Sequence, residues 1–405
     1  MPSMTVEATG SLETVCREEW DQLANPGWEL GEGGRITAAG TRPFNPFVTY
    51  DFLRALEDAG CVGGRTGWYP RHLVIRGAEG GLVGAAPAYL KTHSKGEYVF
   101  DYGWADAFER AGGRYYPKLQ VSVPFTPAKG PRLLVGNGPP EARRLVGNAL
   151  IALAEQTDAS SIHATFLAPE DVAALEAENY LLRYDTQFHF TNEGYQTPDD
   201  FLAALASRKR KQVKRERREA LENDITIRWL TGDDITEAHW DAFYEFYMDT
   251  GSRKWGRPYL NRAFFSLLGE RLGHRVCLIV AERGGRPIAG ALNMIGSDTL
   301  FGRYWGCVED HPFLHFEVCY YQAIDYAIAH GLKWVEAGAQ GGHKLARGYE
   351  ATVTTSAHYI DHPGLREAVA RYLEAERREV SQHQAYLNEA APFRKDGSRH
   401  GRHDD

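Results

Sequence analysis

The chain has 405 residues, 43% of them apolar and 25% charged, with a formal net charge of −8. That length exceeds one hydrophobic core and predicts two domains of globular composition, and the acidic balance excludes a molecule that is basic overall, so any polyanion site must be local. The five cysteines (Cys16, Cys61, Cys277, Cys307, Cys319) are odd in number, widely spaced and without a CxxC pair, which argues against a disulfide framework and for a reduced, cytoplasmic compartment.

In chain order, the opening "MPSMTVEATGSLETVCREEW" has neither a basic nor an apolar region of the kind that makes a signal peptide. No later window is apolar for long enough to predict a membrane-spanning helix. Residues 71 to 104, "RHLVIRGAEGGLVGAAPAYLKTHSKGEYVFDYGW", read as a strand, a Gly80-Gly81 turn, a strand carrying Gly84-Ala85, and a third strand rich in aromatics. "EARRLVGNALIALAEQT" then supplies a helix and "SSIHATFL" a strand. Residues 274 to 306, "HRVCLIVAERGGRPIAGALNMIGSDTLFGRYWG", repeat the meander about half a chain later, with Gly284-Gly285 and Gly290-Ala291 in the matching places. This predicts an internal duplication. In the second copy Leu314, Val318, Tyr321, Ile324 and Ile328 form one apolar helical face ended by His330-Gly331, and "LKWVEAG" is the following strand. A helix between strands of one sheet implies a crossover and a parallel pair.

Each half is therefore expected to be an α+β unit with a mixed, mostly antiparallel sheet. The polar "FTNEGYQTPDD" places the boundary between 1–190 and 191–385, and 386–405 is expected to be a disordered polar tail. Between the boundary and the second meander, eight of the eleven residues from Arg208 to Arg218 are Lys or Arg on a segment of high helix propensity, predicting a basic helix over 207–220.

The stretches "NPFVTYDFLRALE", "VPFTPAKGPRLL", "SRKRKQVKRERREA", "RKWGRPYLNRAFF", "GRYWGCVEDHPFLHFEVCYYQAID" and "EAGAQGGHKLARGY" resemble a bacterial Fem-like family over roughly residues 43 to 395. Fem-type enzymes resemble two acetyltransferase-like GNAT domains in one chain and transfer amino acids from aminoacyl-tRNA to peptidoglycan precursor peptides. The resemblance implies a tandem GNAT fold, an acyltransferase, and a lysine after the crossover strand that stabilises the acyl-transfer intermediate. Lys344 matches it best. The chain departs from single-domain GNAT enzymes in lacking a Q/R-x-x-G-x-G/A loop before either crossover helix. That argues against acetyl-CoA, and leaves aminoacyl-tRNA or another acyl-CoA as donor with no tightly bound cofactor.

The candidate residues follow. In "AGAQGGHKLARGY", Lys344 and Arg347 can neutralise an oxyanion or phosphate and His343 can carry a proton, or the loop is a turn with solvated cations. Arg208, Lys209, Arg210, Lys211, Lys214 and Arg215 can follow the phosphates of a tRNA, or make a solvated face. Arg253, Lys254 and Trp255 form either a cleft-lining loop or a helix C-terminus with cations against its dipole. In "FGRYWG", alternation sets Arg303 and Trp305 on one face and Tyr304 towards the other, where Tyr304 either orients substrate or packs the sheet. His315 and Glu317 are expected at the mouth of the cleft, Glu317 as a second proton acceptor. Pro312 beside His311 and the lack of HExxH argue against a metal. Absence of GxSxG and P-loop motifs counts against hydrolase and kinase readings. The remaining alternatives are an acyl-CoA-dependent N-acyltransferase and a non-catalytic peptide- or nucleotide-binding protein.

Overall fold

The computed structural model describes residues 4–254, 258–338, 341–389 and 391–394. Its strands are β1 (Thr5–Thr9), β2 (Glu29–Leu30), β3 (Ile36–Ala38), β4 (Trp68–Pro70), β5 (His72–Arg76), β6 (Leu82–Ala86), β7 (Ala88–Lys91), β8 (Lys118–Val121), β9 (Ser161–Ala164), β10 (Leu181–Thr191), β11 (Ile225–Leu230), β12 (Val276–Arg283), β13 (Arg286–Ile295), β14 (Thr299–Cys307), β15 (Trp334–Glu336) and β16 (Glu350–Ile360). The duplication is visible in the pairings. β11, β12, β13 and β14 form an antiparallel meander, and β14 pairs in parallel with β15 after the crossover helix. In the first half β1, β5 and β6 pair in the same sense, Pro87 breaks the strand, β7 pairs with β8, and β8 runs parallel to β9. The two-residue turn between β12 and β13 holds Gly284 and Gly285 at φ of 58° and 77°, the conformation that a tight hairpin turn of this kind demands.

The halves do not close separately. β10 and β16 pair antiparallel from Leu181↔His358 to His189↔Glu350. The end of β10 then pairs with β15 of the second half, and the end of β16 with β9 of the first. One eleven-stranded sheet results, in the order β11-β12-β13-β14-β15-β10-β16-β9-β8-β7-β4. Each half thus lends the strand that completes the other's sheet, where each half was expected to hold a mixed sheet of its own. A core cluster also crosses between halves: the Phe47 ring lies 5.2 Å from Phe301 and the Phe52 ring 5.8 Å from Phe264.

Two further expectations change. The first copy's third strand is not "EYVFDYGW", because Tyr102–Arg110 is a helix and the pairing role passes to β8, beyond an insertion. The terminal segment is ordered past residue 385. The last helix runs Pro363–Glu389, Asn388 bonds Ala351 in both directions, and Phe393 bridges Leu205. No helix among the described residues is long and apolar enough to cross a membrane.

Because the exchanged strands and the shared core couple the halves, unfolding should be a single transition by far-UV circular dichroism and tryptophan fluorescence. Two resolved transitions would contradict it. Phe47→Ala, which empties the shared core, should cost about 3–5 kcal/mol in urea unfolding.

Candidate active site

The parallel pair β14–β15 covers only Thr299–Phe301 against Trp334–Glu336, after which the strands part. A Cβ on Gly302 would lie 3.2 Å from the Glu336 carbonyl oxygen, so the approach there suits a residue without a side chain. A register shift between Leu292 and Asn293 follows, opposite Gly302–Tyr304. This bulge turns both Arg303 and Tyr304 towards the first half and Trp305 the other way, correcting the simple alternation read from "FGRYWG". Arg303 Nη2 and Tyr304 Oη both donate to the Phe125 carbonyl, at 2.6 and 2.9 Å. They tie the halves together.

Past β15 the chain enters a 3-10 turn, Gly342–Arg347, flanked by Gly341 and Gly348 at positive φ. Lys344 is buried on it. Its Nζ donates to the Ala337 carbonyl at 2.6 Å and to that of Gly338 at 3.2 Å, with the Phe188 and Tyr320 rings 5.7 and 5.8 Å away. No carboxylate among the described residues lies within 4.0 Å of it, and burial pulls its pKa down to about 8. The exposed His343 pairs its Nε2 with Tyr320 Oη at 3.1 Å. His315 sits half-buried, 5.1 Å from the Trp305 ring, 5.3 Å from Tyr320 and 6.3 Å from His343. Trp305, Cys307, Phe313, His315 and Phe316 line a cavity of about 400 Å³ beside this group. The structure therefore brings Lys344, His343 and His315 together around the Tyr320 ring, with His315 also lining that cavity.

Arg347 and Glu317 belong to the supporting frame, a correction to the binding and proton-transfer roles expected of them. The buried Arg347 guanidinium stacks 3.4 Å from the Phe316 ring centre, donates to the His343 carbonyl at 2.7 Å and pairs with Glu216 at 2.9 Å. Glu216, in the basic helix Ser207–Ala220, also accepts from Tyr321 Oη at 2.6 Å and Gln212 at 2.9 Å. Glu317 is fully buried and does not line the cavity. It takes two bonds from Arg217, at 3.1 and 2.9 Å, and one from Gln322 at 2.7 Å; Arg217 also reaches Asp325 at 2.5 Å. Burial raises the Glu317 pKa and Arg217 opposes it, leaving the carboxylate occupied by its partners. Glu317 opens a π-helical turn, Glu317–Tyr321, inside the crossover helix, the irregularity that presents Tyr320 and Phe316 to the loop.

The basic helix divides by face. Val213, Glu216 and Ala220 face inward. Lys214 pairs with Asp199 at 3.7 Å and Arg215 with Glu219 at 3.6 Å. Arg208, Lys209, Arg210 and Lys211 have no side-chain partner within 4.0 Å among the described residues. Arg253 and Lys254 close the helix Glu237–Lys254, but their side chains and all of Trp255 lie outside the described residues. Sequence reasoning missed Glu216, Arg217, Tyr320 and Phe316, though the Glu at the centre of a cationic helix was a usable signal. It also missed Glu336, which nothing in "LKWVEAG" distinguishes.

The FemAB-like family model, described as peptidoglycan biosynthesis/recognition, matches residues 11–395. No curated protein matches the chain. Among solved structures it is similar to FemX, at 12% identity over 88% of this chain and 98% of that one, with a TM-score of 0.52. It is also similar to a tandem GNAT protein from the clavulanic acid biosynthesis pathway (11%, 89% and 99%, TM-score 0.44) and to L-PGS from Bacillus licheniformis (10%, 82% and 98%, TM-score 0.48). The duplicated mixed sheet with its parted parallel pair is thus the tandem GNAT fold, and with the match over nearly its whole length the chain belongs to the FemAB-like family.

Proposed function

We propose that the protein transfers an aminoacyl group from aminoacyl-tRNA to an amine acceptor of the kind found on peptidoglycan precursor peptides, in the cytoplasm. The observation that carries this reading is the Lys344 ammonium just past β15, buried, held by two carbonyls, with no carboxylate within 4.0 Å among the described residues, and facing the Tyr320 ring that His315 and His343 also touch. Attack on an ester carbonyl places negative charge on its oxygen. A cation already desolvated and fixed stabilises that charge more than a mobile one in water. His343, exposed and bonded to Tyr320, is placed to relay protons at the pocket rim.

The donor assignment has separate support. Four cations without partners crowd the first turns of the basic helix, where the helix dipole disfavours them, so a polyanion would relieve an existing cost. The same helix is joined to the Lys344 loop by Glu216–Arg347. A backbone held there would have its acylated end within reach of the pocket. The approach to the crossover helix runs through Pro312 and Phe313, the latter at φ 62°, instead of a glycine-rich phosphate cradle, which disfavours a CoA donor.

Lys344→Ala should lower kcat by about 100- to 1,000-fold, with KM for charged tRNA little changed. Retained turnover would remove the role of this lysine. The wild-type rate should fall as pH rises through about 8, where the ammonium loses its proton. In Lys344→Arg, whose cation does not titrate there, that alkaline limb should disappear. For the basic helix, changing Arg208, Lys209, Arg210 and Lys211 together to Glu should flatten the dependence of log Kd on log salt by about 3 units in filter retention of charged tRNA. Equal slopes would exclude this helix as the tRNA site, and retention of acyl-CoA alone would move the donor assignment to CoA.

A further inference from the structure

Six carboxylates are buried among the described residues: Glu97, Asp101, Asp171, Glu216, Glu317 and Glu336. Five have a lysine or arginine within an ion-pair distance: Lys118 serves Glu97 and Asp101, Arg143 serves Asp171, Arg347 serves Glu216 and Arg217 serves Glu317. Glu336 does not. Its Oε2 receives one long bond, 3.4 Å, from the Lys129 backbone N–H, and its Oε1 has only His189 Nε2 at 4.0 Å. Burial together with Lys129 and Lys344 pulls the His189 pKa down to about 3, so that ring is neutral and supplies no counter-charge. A buried carboxylate left so costs several kcal/mol unless it is protonated or meets a cation from outside.

The carboxylate is open to such a cation. Trp334 and Glu336 point to the face of β15 opposite the Lys344 loop, where two adjoining grooves of about 460 Å³ each share Lys129, Thr299, Trp334 and Glu336. They run between the halves, one towards Glu350 and Asn388, the other towards Arg42 and Asp298. Glu336 is the last residue of β15, and the Lys344 ammonium is held by the carbonyl of the next residue, Ala337. The two groups therefore flank one short segment where β14 and β15 part, from opposite faces of the sheet.

We propose that Glu336 is the acceptor subsite: it binds the primary alkylammonium of the acceptor in the Lys129–Trp334 groove and removes its proton for attack. The inference rests on the acyl-transfer reading above. The ammonium passes one proton to the Glu336 carboxylate, and the amine lone pair forms the C–N bond to the ester carbonyl carbon. The oxyanion then collapses and breaks the C–O bond. The departing alkoxide takes a second proton from the nitrogen, giving an amide and an alcohol, and Glu336 returns its proton to solvent through the groove. Burial pushes the Glu336 pKa up to about 7, with the Lys129, Arg303 and Arg132 cations opposing the rise, a value suited to accepting and releasing a proton near neutrality. Lys129 has no ion-pair partner within 4.0 Å among the described residues and lines both grooves, where it can meet a carboxylate on the acceptor.

Two measurements on the full chain test this. In saturation-transfer NMR with n-butylammonium as probe, Glu336→Gln should weaken binding by about tenfold or more; equal binding overturns the subsite. In aminolysis of aminoacyl-tRNA, Glu336→Gln should slow transfer to n-butylamine by about 100-fold, while the deficit should vanish with hydroxylamine, which arrives uncharged at neutral pH and shows that the variant is folded. An equal loss with both nucleophiles, or no loss with either, overturns the proton-acceptor role. Wild-type protein that binds n-butylammonium through Glu336 yet transfers no acyl group would leave the subsite standing and refute the acyl-transfer reading.

Discussion

The pairing of β10 with β16 is the constraint on which the rest of the molecule depends. From Leu181↔His358 to His189↔Glu350 it is the longest seam between the halves, and its two ends feed into the opposite half-sheets. Period-two alternation then sends each residue to a defined side. Phe188 and Phe190 of β10 face the crossover helix and floor the Lys344 loop, while Gln187 and His189 face the groove with Glu336. A one-residue slip of this seam would exchange those sets and abolish both surfaces together. The chemistry on each face is therefore a consequence of the exchange, since β15 comes from one half and its neighbour β10 from the other.

A second constraint is electrostatic. The basic helix looks uniform in sequence, but two of its residues are committed to ion pairs with the rest of the fold: Glu216 to Arg347, and Arg217 to Glu317 and Asp325. Such buried pairs contribute little net stability, but removing one partner leaves an uncompensated charge costing about 3–5 kcal/mol. Their value here is positional. They hold the helix, the π turn and the Lys344 loop as one body, so that cations outside and an ammonium inside keep a set distance.

What the sequence could reveal was local. Gly284-Gly285 marked its hairpin, the 314–328 spacing marked the crossover helix, and the repeat marked the duplication, because each depends on neighbours a few residues apart. The loop holding Lys344, His343 and Arg347 was legible as a glycine-flanked cationic turn. What escaped depends on partners far along the chain. The first copy's third strand was misplaced because an insertion carrying aromatic residues imitates a strand. Arg303 and Tyr304 looked like ligands until the bulge turned them towards Phe125, 178 residues from Arg303. Glu317 looked available until Arg217, 100 residues earlier, occupied it. Glu336 carried no signal at all, since its distinction is that no lysine or arginine among the described residues comes within ion-pair distance, which appears only in three dimensions.

The duplication also explains why only one of the two parallel pairs is open. In the first half β8 and β9 end at Val121↔Ala164, the counterpart of Phe301↔Glu336, so an alanine stands where the second half has its unpaired carboxylate. Beyond that end the space is filled. The Arg132 guanidinium, almost wholly buried, donates to the Thr165 carbonyl at 3.1 Å and to that of Ala128 at 2.7 Å, and Gln120 bonds Thr165 Oγ1 at 3.1 Å. The ionisable residues of this half gather at the other end of the same strands, where Lys118 neutralises Glu97 and Asp101 and the His163 and His358 rings bond at 2.8 Å. Burial drives both histidines neutral, so the cluster's charges are confined to Lys118, Glu97 and Asp101. One copy of the repeat has become a plugged scaffold and the other keeps its strands parted, the division expected when a duplicated fold needs a single site and a rigid wall to face it.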